Sequence, residues 1–542
     1  MHISLPLPPW SLNPADRGDT APALGDLFRV PASRWPEKKA IADDSTAYAF
    51  IDLEQQAQVL AGWLQAQGVK PGSRVAVLAR KCALMPLLAI AIWKSGAVYV
   101  PLDDAQPEAR LSNLLGRLQP SMVIALDDRA PVIQASWLNR TELDAVLARP
   151  AQAVPTIAHA ADDTAYIIFT SGSTSDPKGV EISVANLLAY FRNHNEVLQF
   201  SPDSRVFSLS PFHFDVSIED TLLPLSLGAF VYQFRQLPAG PIMRSAMARE
   251  QITHLIAVST LLTMITEDGR HISPEKFPHL QMVMTGAEIC DPGIINLWKT
   301  RFPAVRMINA YGPTETTIVC MSHEITQVDG ARTSSYPIGK PLRNVSIRIM
   351  GESGEIHGAG QSGELWVGGE QVMRGYFDQP AENQRVLVDV DGVRYYRTGD
   401  ICCYDERGDV LFVGRNDDEV KINGRRIHLG EIRQRALSYP EVERAAICVV
   451  RRNNRDCIGL VVMSAELNLL RPLEAYLKAH LPDYMVPAVL GWSPTLIMSS
   501  SGKTDERMVT ARLQAAAKLS GANYFALSNV GIFQPFEEPI NA

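Results

Sequence analysis

The stretch SRVAVLARKCALMPLLAIAIWKSGAVYVPLD (73–103) carries the clearest fold signal in the chain. Its two ends, SRVAVLA (73–79) and AVYVPLD (97–103), are short apolar runs typical of buried strands. Between them, CALMPLLAIAIWKSG (82–96) has the length and composition of a buried helix. A strand, a helix and a second strand at this spacing predict parallel strands with a helix on one face of the sheet. The stretch therefore predicts an α/β fold.

The same alternation continues on both sides of this stretch. Helical spacing of apolar residues over FIDLEQQAQVLAGWLQAQGV (50–69) predicts a helix, and TAYIIFTSG (164–172) predicts a strand that enters a Gly/Ser turn. SVANLLAYFRNH (183–194) is a predicted helix with Ser183 as its N-cap and Asn186 three residues later. We therefore expect a large N-terminal part built of mixed or parallel sheets flanked by helices.

The pattern changes after about residue 340. Short alternating strands such as GELWVGG (363–369) and RVLVDV (385–390), separated by Gly-rich turns, predict a small β-rich subdomain over 340–416. Beyond it, mixed helix and strand patterns return. We expect two domains, a core over 1–416 and a smaller α+β C-terminal domain over 417–542.

Composition excludes several classes of protein. The 542 residues include 51 Lys and Arg against 59 Asp and Glu, a formal net charge of −8, so no nucleic-acid partner is expected. An apolar run of the ~18 residues that a membrane-spanning helix needs is missing, so we expect no membrane partner. The start of the chain lacks the basic region of a secretory signal. The seven scattered cysteines indicate reduced thiols and a cytoplasmic location.

The turn FTSGSTSDPKGVEIS (169–183) is the first segment with chemical character. Backbone N–H groups of such a turn can converge on phosphate oxygens, and the hydroxyls of Ser171, Ser173 and Thr174 add donors. It is not a Walker A loop, because Lys178 is not followed by Ser or Thr. Taken alone, the turn is equally consistent with a polar surface loop.

A second segment, NAYGPTETT (309–317), offers Tyr311 as a flat face for a base and Glu315 as a hard oxygen ligand for Mg²⁺ beside phosphates. In a third, over 395–432, Asp400 can accept from two ribose hydroxyls and Arg415 supplies a cation. The fourth, SSSGKTDER (499–507), presents Lys503. Each alone also fits a solvated turn, hairpin or loop.

These four segments in this order resemble the adenylate-forming superfamily of acyl- and aryl-CoA synthetases, luciferases and nonribosomal adenylation domains. Free-standing amino-acid adenylation enzymes and D-alanine–carrier-protein ligases are similar in layout. The resemblance extends from about residue 46 to 507, and further matching stretches are AIWKSGAVYVPLD (91–103), PFHFDVS (211–217), GELWVGGEQVMRGYF (363–377) and LPDYMVP (481–487). It implies that the C-terminal domain is mobile, with a hinge at Asp417 that brings the Gly424 loop toward an incoming thiol.

The resemblance also implies an ATP site and the catalytic groups. Catalysis would rest on Lys503, Glu315 and Thr174, and Mg²⁺ would be held by Glu315 and Thr174. Tyr311 would stack on adenine, while Asp400 and Arg415 would hold the ribose. The implied ATP-binding residues are Thr170, Ser171, Gly172, Ser173, Thr174, Lys178, Asn309, Ala310, Tyr311, Gly312, Pro313, Thr314, Asp400, Arg415 and Lys503.

Within the superfamily, FDVS (214–217) resembles the segment whose Asp pairs with the α-ammonium of an amino acid. An ammonium in a dry pocket needs a carboxylate partner, although Asp215 also fits the N-cap of a following helix. The implied substrate-binding residues are Asp215, Val216, Glu219, Ser259 (or Val258), Val283, Thr285, Gly286, Ala310, Ile318, Val319 and Lys503.

Glu219 lies four residues after Asp215, so on a helix both would share a face. A second carboxylate there suits a cationic or hydrogen-bonding substrate side chain, such as that of ornithine or lysine. The alternative is that Glu219 faces solvent or pairs locally. Two departures from the family pattern are Ser175, where glycine is usual, and His428, where glutamate is usual.

We predict an enzyme that activates an amino acid to aminoacyl-AMP with release of pyrophosphate, and then transfers it to the phosphopantetheine thiol of a carrier protein. The carrier is expected in trans, because residues 504–542 are too few for a four-helix module and lack a Gly-x-x-Ser stretch. An acyl-CoA synthetase and a non-catalytic interaction protein are the alternatives. The intact set of Lys503, Glu315, Asp400 and Arg415 argues against the latter.

Overall fold

A computed structural model describes residues 24–127, 135–151, 155–172, 177–452, 455–494, 506–519, 522–527 and 533–535. The chain forms two compact units, which meet along the sequence between Asn416 and Asp417. The described parts of Met1–Asp104, Leu118–Phe169 and Gly179–Asn416 make up the first unit; those of Ala105–Arg117, Thr170–Lys178 and Asp417–Ala542 make up the second. The second unit thus includes two short segments that precede residue 417 in sequence.

The stretch 73–103 folds as predicted, with the strand Arg74–Leu78, the helix Met85–Lys94 and the strand Val98–Leu102. The two strands pair in parallel. Every residue of the helix is buried, including Lys94, whose ammonium lies 2.8 Å from a Glu54 carboxylate oxygen. The sheet order is Gly375–Tyr376, Lys178–Ser183, Thr164–Thr170, Val98–Leu102, Arg74–Leu78, Met122–Ala125, Ser136–Leu138.

A second large sheet carries much of the candidate site. Its central strands are parallel, whereas the strands at its two edges run antiparallel. Such mixed sheets, covered by helices, confirm the predicted α/β class. The order is Lys340–Pro341, Met321–Ile325, Arg306–Tyr311, Met282–Gly286, His254–Ile256, Arg205–Ser208, Phe230–Gln233, Lys39–Ala42, Ala47–Ala49.

Helices of the N-terminal 416 residues cover these sheets. The predicted N-cap is present, because the Ser183 hydroxyl accepts from the N–H of Asn186 at 3.1 Å and the Asn186 side chain accepts from the N–H of Ser183 at 2.9 Å. The helices are Arg29–Arg34, Phe50–Ala66, Met85–Lys94, Glu108–Leu118, Arg140–Leu147, Val184–Leu198, Leu223–Ser226, Gly240–Arg249, Ser259–Thr266, Pro292–Arg301 and Pro380–Val386, with a π-helical turn at Ile218–Leu222 and 3-10 turns at Leu24–Asp26 and Thr314–Thr316.

The region after residue 340 forms an antiparallel sheet, as its pattern predicts. Its strands are Gly354–Glu355, Val345–Gly351, Ser362–Gly369, Val393–Tyr404, Leu387–Val390 and Val410–Arg415. One prediction here is wrong in part: RVLVDV (385–390) begins as the end of the helix Pro380–Val386 and becomes a strand at Leu387. Pro380 favours the first turn of a helix, and that local signal prevails over the apolar alternation.

The C-terminal part of the second unit begins with an antiparallel hairpin, whose turn residues Asn423 and Gly424 have φ values of 54° and 72°. Asn-Gly is the preferred pair for a turn that needs two positive φ angles. The strands are Glu419–Ile422, Arg425–His428, Arg444–Arg452, Arg455–Met463, Val489–Ser493, Tyr524–Leu527 and Phe533–Pro535; the helices are Leu429–Leu437, Leu470–His480 and Glu506–Leu519, with 3-10 turns at Leu467–Leu469 and Asp483–Met485. Apolar side chains on both faces of this sheet form its core.

Candidate active site

The first part of the candidate site follows the strand Arg306–Tyr311. A Cβ on Gly312 would lie 2.3 Å from the carbonyl oxygen of Ile318, so this close approach of two backbone segments requires glycine. The 3-10 turn Thr314–Thr316 comes next and carries Glu315. The strand end and the turn therefore place an aromatic ring and a carboxylate close together in the fold.

Tyr311, Asp400 and Arg415 form one hydrogen-bonded group. The Tyr311 hydroxyl donates to one carboxylate oxygen of Asp400, and the Arg415 guanidinium donates to the other. Asp400 and Arg415 face each other across an antiparallel strand pair, and Asp400 is 1% exposed. Burial, together with the charge of Asp400, raises the pKa of Tyr311 well above its ordinary value, so the ring stays neutral.

Glu315 is fully buried and bound to a second tyrosine. The Tyr376 hydroxyl donates to Glu315 Oε1 at 2.5 Å, and the Tyr396 hydroxyl lies 3.3 Å from that of Tyr376. The N–H of Met373 donates to the backbone carbonyl of Glu315 at 2.8 Å. Tyr376 lies in the stretch GELWVGGEQVMRGYF (363–377), but it was not predicted as a site residue. The carboxylate proposed for Mg²⁺ is thus held in a fixed position.

Asp215 lies in the first unit, as Glu315 does, and its side chain is buried. Burial raises the pKa of its carboxyl to about 6, against hydrogen bonds from the Thr314 hydroxyl and the N–H of Val216, and the charges of Glu315 and Glu219 raise it further. The side chain does not cap the helix that follows, whose first π-helical residue comes after Ser217. The charge of Asp215 is therefore costly until a cation arrives.

Glu219 lies in the π-helical turn Ile218–Leu222 and is fully buried. One of its oxygens lies 3.1 Å from Nδ1 of His194, which is also fully buried. The Tyr190 hydroxyl lies 2.8 Å from the same nitrogen. His194 and Tyr190 belong to the helix Val184–Leu198 and were missed by the sequence analysis. Their spacing of four residues, two polar groups on one helical face, was the available signal.

Two other predicted substrate-binding residues, Ser259 and Thr285, are neighbours of the Cys290 thiol. Burial raises the pKa of the Cys290 thiol to about 11, against the lowering effect of the neighbouring Ser259 and Thr285 hydroxyls. Ser259 begins a helix that follows Val258, and it is the more buried of these two alternatives. Cys290 was not predicted as a site residue.

The strand register places other predicted substrate-binding residues on opposite faces of the sheet. Val283 is opposite Met307, and Gly286 is opposite Ala310. Because side chains alternate along a strand, Val283 and Ala310 lie on different faces of the sheet. Val283 accordingly packs in one apolar cluster, whereas Ala310, Ile318 and Val319 pack in the other.

The side chain of Asn309 takes part in local structure. Its amide nitrogen donates to the carbonyl oxygens of Tyr336 and Pro337, at 3.3 and 2.8 Å. Asn309 thereby anchors the loop before Lys340–Pro341 to the strand that ends at Tyr311. Thr314, by contrast, directs its hydroxyl to Asp215.

The described residues of Thr170–Lys178, in the turn that the sequence predicts to bind phosphate, belong to the second unit. There the Ser171 hydroxyl donates to the carbonyl oxygen of Arg426 at 2.9 Å, and the N–H of Gly172 donates to Glu431. Glu431 is 1% exposed and also accepts from Arg110 at 2.5 Å. The Thr170 hydroxyl donates to the backbone carbonyl oxygen of Lys178 at 3.5 Å.

Two of the remaining predicted residues, Asp417 and His428, form local hydrogen bonds. The Asp417 carboxylate accepts from the N–H of Glu419 at 3.2 Å, next to the junction between the units. His428 uses Nδ1 to cap the helix Leu429–Leu437, at 3.1 Å from the N–H of Gly430. The predictions for Ser173, Thr174, Ser175 and Lys503 lie outside the described residues.

Two features are absent from the described residues. No group of three or more His, Cys, Asp or Glu side chains in that part of the chain is arranged to hold a metal ion by itself. This is compatible with Mg²⁺, which commonly takes one or two carboxylates together with water and substrate phosphates. Across the same residues, no helix has the length and apolar content needed to span a membrane.

Residues 28–377 match the family described as AMP-binding enzyme. Dapdiamide synthesis protein DdaD of Enterobacter agglomerans is 30% identical over 518 residues, which are 94% of this chain and 85% of that protein. Delta-poly-L-ornithine synthetase of Acinetobacter baumannii is 31% identical over 509 residues, 90% of this chain and 36% of that protein. The chain therefore belongs to the family of AMP-binding enzymes, and it is an adenylate-forming enzyme of the nonribosomal peptide synthetase type.

The fold is similar to that of holo-PA1221, an NRPS protein containing adenylation and PCP domains. The TM-score is 0.79 at 25% identity, over 90% of this chain and 84% of that one. The chain spans between 6% and 39% of the length of the first curated relatives that it matches. Most of each of those proteins thus has no counterpart here.

Proposed function

We propose that this enzyme activates an amino acid as aminoacyl-AMP, with release of pyrophosphate, and passes it to the phosphopantetheine thiol of a carrier protein in trans. The observation that carries the proposal is Asp215, a buried carboxylate whose charge is unfavourable in the free protein. The α-ammonium of an amino acid would offset that cost.

Asp215 separates this proposal from an acyl-CoA synthetase of the same fold. A carboxylic acid without an amine would leave the buried Asp215 carboxylate without a cation. Because desolvation of an uncompensated charge is unfavourable, such substrates would bind weakly. The hydrogen bond from the Thr314 hydroxyl supports the same role, since it orients the carboxylate beside the turn that carries Glu315.

The nucleotide would be held by the group around Asp400. We assign Tyr311 to the adenine face, and Asp400 with Arg415 to the ribose hydroxyls. The phosphates would bind the turn Thr170–Lys178, where Ser171 and Gly172 exchange their present hydrogen bonds for phosphate oxygens. After this exchange, Arg110 remains as a hydrogen-bond donor to the buried Glu431 carboxylate.

Magnesium fits the residues present. Glu315 is a buried carboxylate fixed by Tyr376, and a hard oxygen ligand of this kind suits Mg²⁺. Together with Thr174, Glu315 would hold the ion, whose chemistry is to neutralise negative charge on the phosphates. Tyr376 keeps the carboxylate turned in one direction before the ion arrives.

In the first step, an oxygen of the substrate carboxylate attacks the α-phosphorus of ATP, and the bond from that phosphorus to the pyrophosphate oxygen breaks. Lys503 would bridge the carboxylate and phosphate oxygens and stabilise the charge that spreads in the transition state. The protein contributes position and electrostatics rather than a covalent intermediate.

In the second step, the carrier thiol loses its proton and its sulfur attacks the acyl carbonyl, so that a thioester forms and AMP leaves. We propose that rotation about Asp417 withdraws Lys503 and brings the Gly424 loop forward. The similar protein holo-PA1221 contains both adenylation and PCP domains, which supports a carrier as the acceptor.

Exchange of labelled pyrophosphate into ATP tests the first step. The full chain should catalyse exchange with amino acids and not with the corresponding carboxylic acids that lack the amine, and Asp215→Asn should abolish it. Exchange with acids and thioester formation on CoA would instead establish the acyl-CoA synthetase. Complete inactivity with every substrate would favour the interaction protein.

A further inference from the structure

A carboxylate of the protein itself lies beside the turn that we propose to bind phosphate. The N–H of Gly172 donates to Glu431, and the Arg110 guanidinium donates to the same carboxylate from Nη1 at 2.5 Å. Arg110 is 9% exposed and Glu431 is 1% exposed. A backbone N–H and a guanidinium that converge on one carboxylate are donors that also suit a phosphate oxygen.

The helix Glu108–Leu118 places Arg110 at this position. Near the end of the helix, Arg117 donates from Nη1 to the backbone carbonyl oxygen of Pro177 at 3.0 Å, which ties the helix to the far end of the turn. Arg110 comes seven residues earlier, two helical turns away on the same face. The helix therefore carries one arginine near each end of the turn.

The contact between Arg110 and Glu431 leaves hydrogen-bond donors unused. Arg110 reaches the carboxylate through Nη1, whereas its Nε is buried and has no hydrogen-bond partner among the described residues. Nε of Arg435, whose charge also acts on Glu431, is buried and unpaired within the same part of the chain. Because buried N–H groups are nearly always hydrogen-bonded, these two point to an acceptor that arrives with a ligand.

Charge favours an anion as that ligand. Arg110 and Arg435 bring two positive charges to the single negative charge of Glu431, so the three side chains together keep one positive charge. A guanidinium presents a planar set of donors that matches the oxygens of a phosphate. A purely structural ion pair would need one arginine and would leave no buried N–H unpaired.

We propose that Arg110 is a phosphate-binding residue, which donates its free N–H groups to a phosphate of ATP while Nη1 stays on Glu431. Glu431 is then an internal anion that the phosphate displaces from the N–H of Gly172. This inference rests on the proposed function, since it requires that ATP binds this turn. Arg110 lies outside the segments that carry the resemblance to adenylate-forming enzymes.

The test is calorimetric binding of ATP, inorganic pyrophosphate, AMP and adenosine to the full chain. Arg110→Met should weaken ATP at least about tenfold, because a charge-assisted contact is lost, and should leave adenosine unchanged. A parallel loss for pyrophosphate assigns the contact to the β- or γ-phosphate, and a parallel loss for AMP assigns it to the α-phosphate. Arg149→Met, at an exposed position, is the control.

Glu431→Gln should change ATP affinity in the opposite direction. It removes a negative charge beside the phosphate and weakens the acceptor that competes for Gly172, so ATP should bind about three- to tenfold more tightly. A structural ion pair predicts the same direction for both variants, since each would damage one contact. Glu441→Gln, at an exposed position, should leave ATP affinity unchanged.

The two variants and the wild type give distinct outcomes. An unchanged ATP affinity in Arg110→Met, an equal loss of adenosine binding, or weaker ATP binding in Glu431→Gln overturns this inference and leaves the proposed function intact. A wild-type chain that binds neither ATP nor pyrophosphate refutes the nucleotide part of the proposed function, and this inference with it. The result for Glu431→Gln decides the question even if Arg110→Met fails to fold.

Discussion

At the proposed nucleotide end of the candidate site, Asp400 receives hydrogen bonds from both Arg415 and Tyr311. At the proposed amino-acid end, Asp215 accepts hydrogen bonds from the Thr314 hydroxyl and the N–H of Val216, and its charged neighbours Glu315 and Glu219 are negative. The first arrangement is complete in the protein alone, whereas the second would gain a cation when the proposed amino-acid substrate binds. The fold therefore stabilises the charge of Asp400, whereas it leaves the charge of Asp215 unfavourable in the free protein.

The stability of two variants should move in opposite directions. Arg415→Met leaves Asp400 buried without its cation, so it should lower the free energy of unfolding by about 3–5 kcal/mol. Asp215→Asn removes an unfavourable charge and should raise it by about 1–3 kcal/mol at pH 7.5. Urea denaturation measures both.

The sign for Asp215 follows from its pKa. The folded value of about 6 lies above the ordinary value, so the favourable contribution of the protonated carboxyl is present at low pH and is lost as pH rises through 6. The gain from Asp215→Asn should therefore vanish below pH 4. Arg407→Met, at an exposed position, is the control. Equal losses in the free energy of unfolding for Arg415→Met and Asp215→Asn at pH 7.5 would contradict the difference between the two ends.

Lys503→Ala tests the cation that the nucleotide end would gain only during reaction. The rate of pyrophosphate exchange should fall about 10²–10³-fold, as when one transition-state donor is removed, with a smaller effect on ATP affinity. Lys518→Ala, at an exposed helical position, should be neutral. Near wild-type exchange by Lys503→Ala would show that its assigned role is wrong.

Asp417→Pro tests the proposed hinge. Restricting the backbone should leave exchange within about twofold and reduce thioester formation on a carrier more than tenfold. Asp417→Ala is the control, because it removes the hydrogen bond to the N–H of Glu419 and keeps the backbone flexible. An equal loss of pyrophosphate exchange and of thioester formation in Asp417→Pro would exclude a hinge at this residue.

Tyr376→Phe should have the smallest effect. Loss of its hydrogen bond frees the Glu315 carboxylate to rotate, so the Mg²⁺ concentration for half-maximal exchange should rise about fivefold. Tyr396→Phe keeps the bond between Tyr376 and Glu315 and should leave this concentration unchanged. An identical response in both variants would mean that Tyr376 does not orient Glu315.

The α/β class was predictable because apolar periodicity reports which faces are buried. The strands and helix of 73–103 and the Ser183 cap are local features of this kind. The end of the helix Pro380–Val386 was predicted wrongly, since its last residues match a strand pattern equally well. The assignment of 105–117 to the second unit depends on tertiary packing, which no local pattern encodes.

The candidate site shows the same division. Motif order singled out Tyr311, Asp400 and Arg415, and the structure joins them by hydrogen bonds. His194 and Cys290 escaped notice, because each meets its partners only after distant segments pack together. The spacing of Tyr190 and His194 was a local signal, but it gained meaning only once the Glu219 carboxylate was found beside His194.

Calorimetric titration of the enzyme with its best exchange substrate and with the matching acid that lacks the α-amine tests the central claim most directly. If Asp215 binds the α-ammonium, affinity for the amino acid should fall about tenfold from pH 7.5 to pH 5 as the carboxyl is protonated. The amine-free acid should bind weakly at both pH values, and Asp215→Asn should abolish the pH dependence. Equal binding of both ligands, with the same pH profile in wild type and Asp215→Asn, would contradict the account.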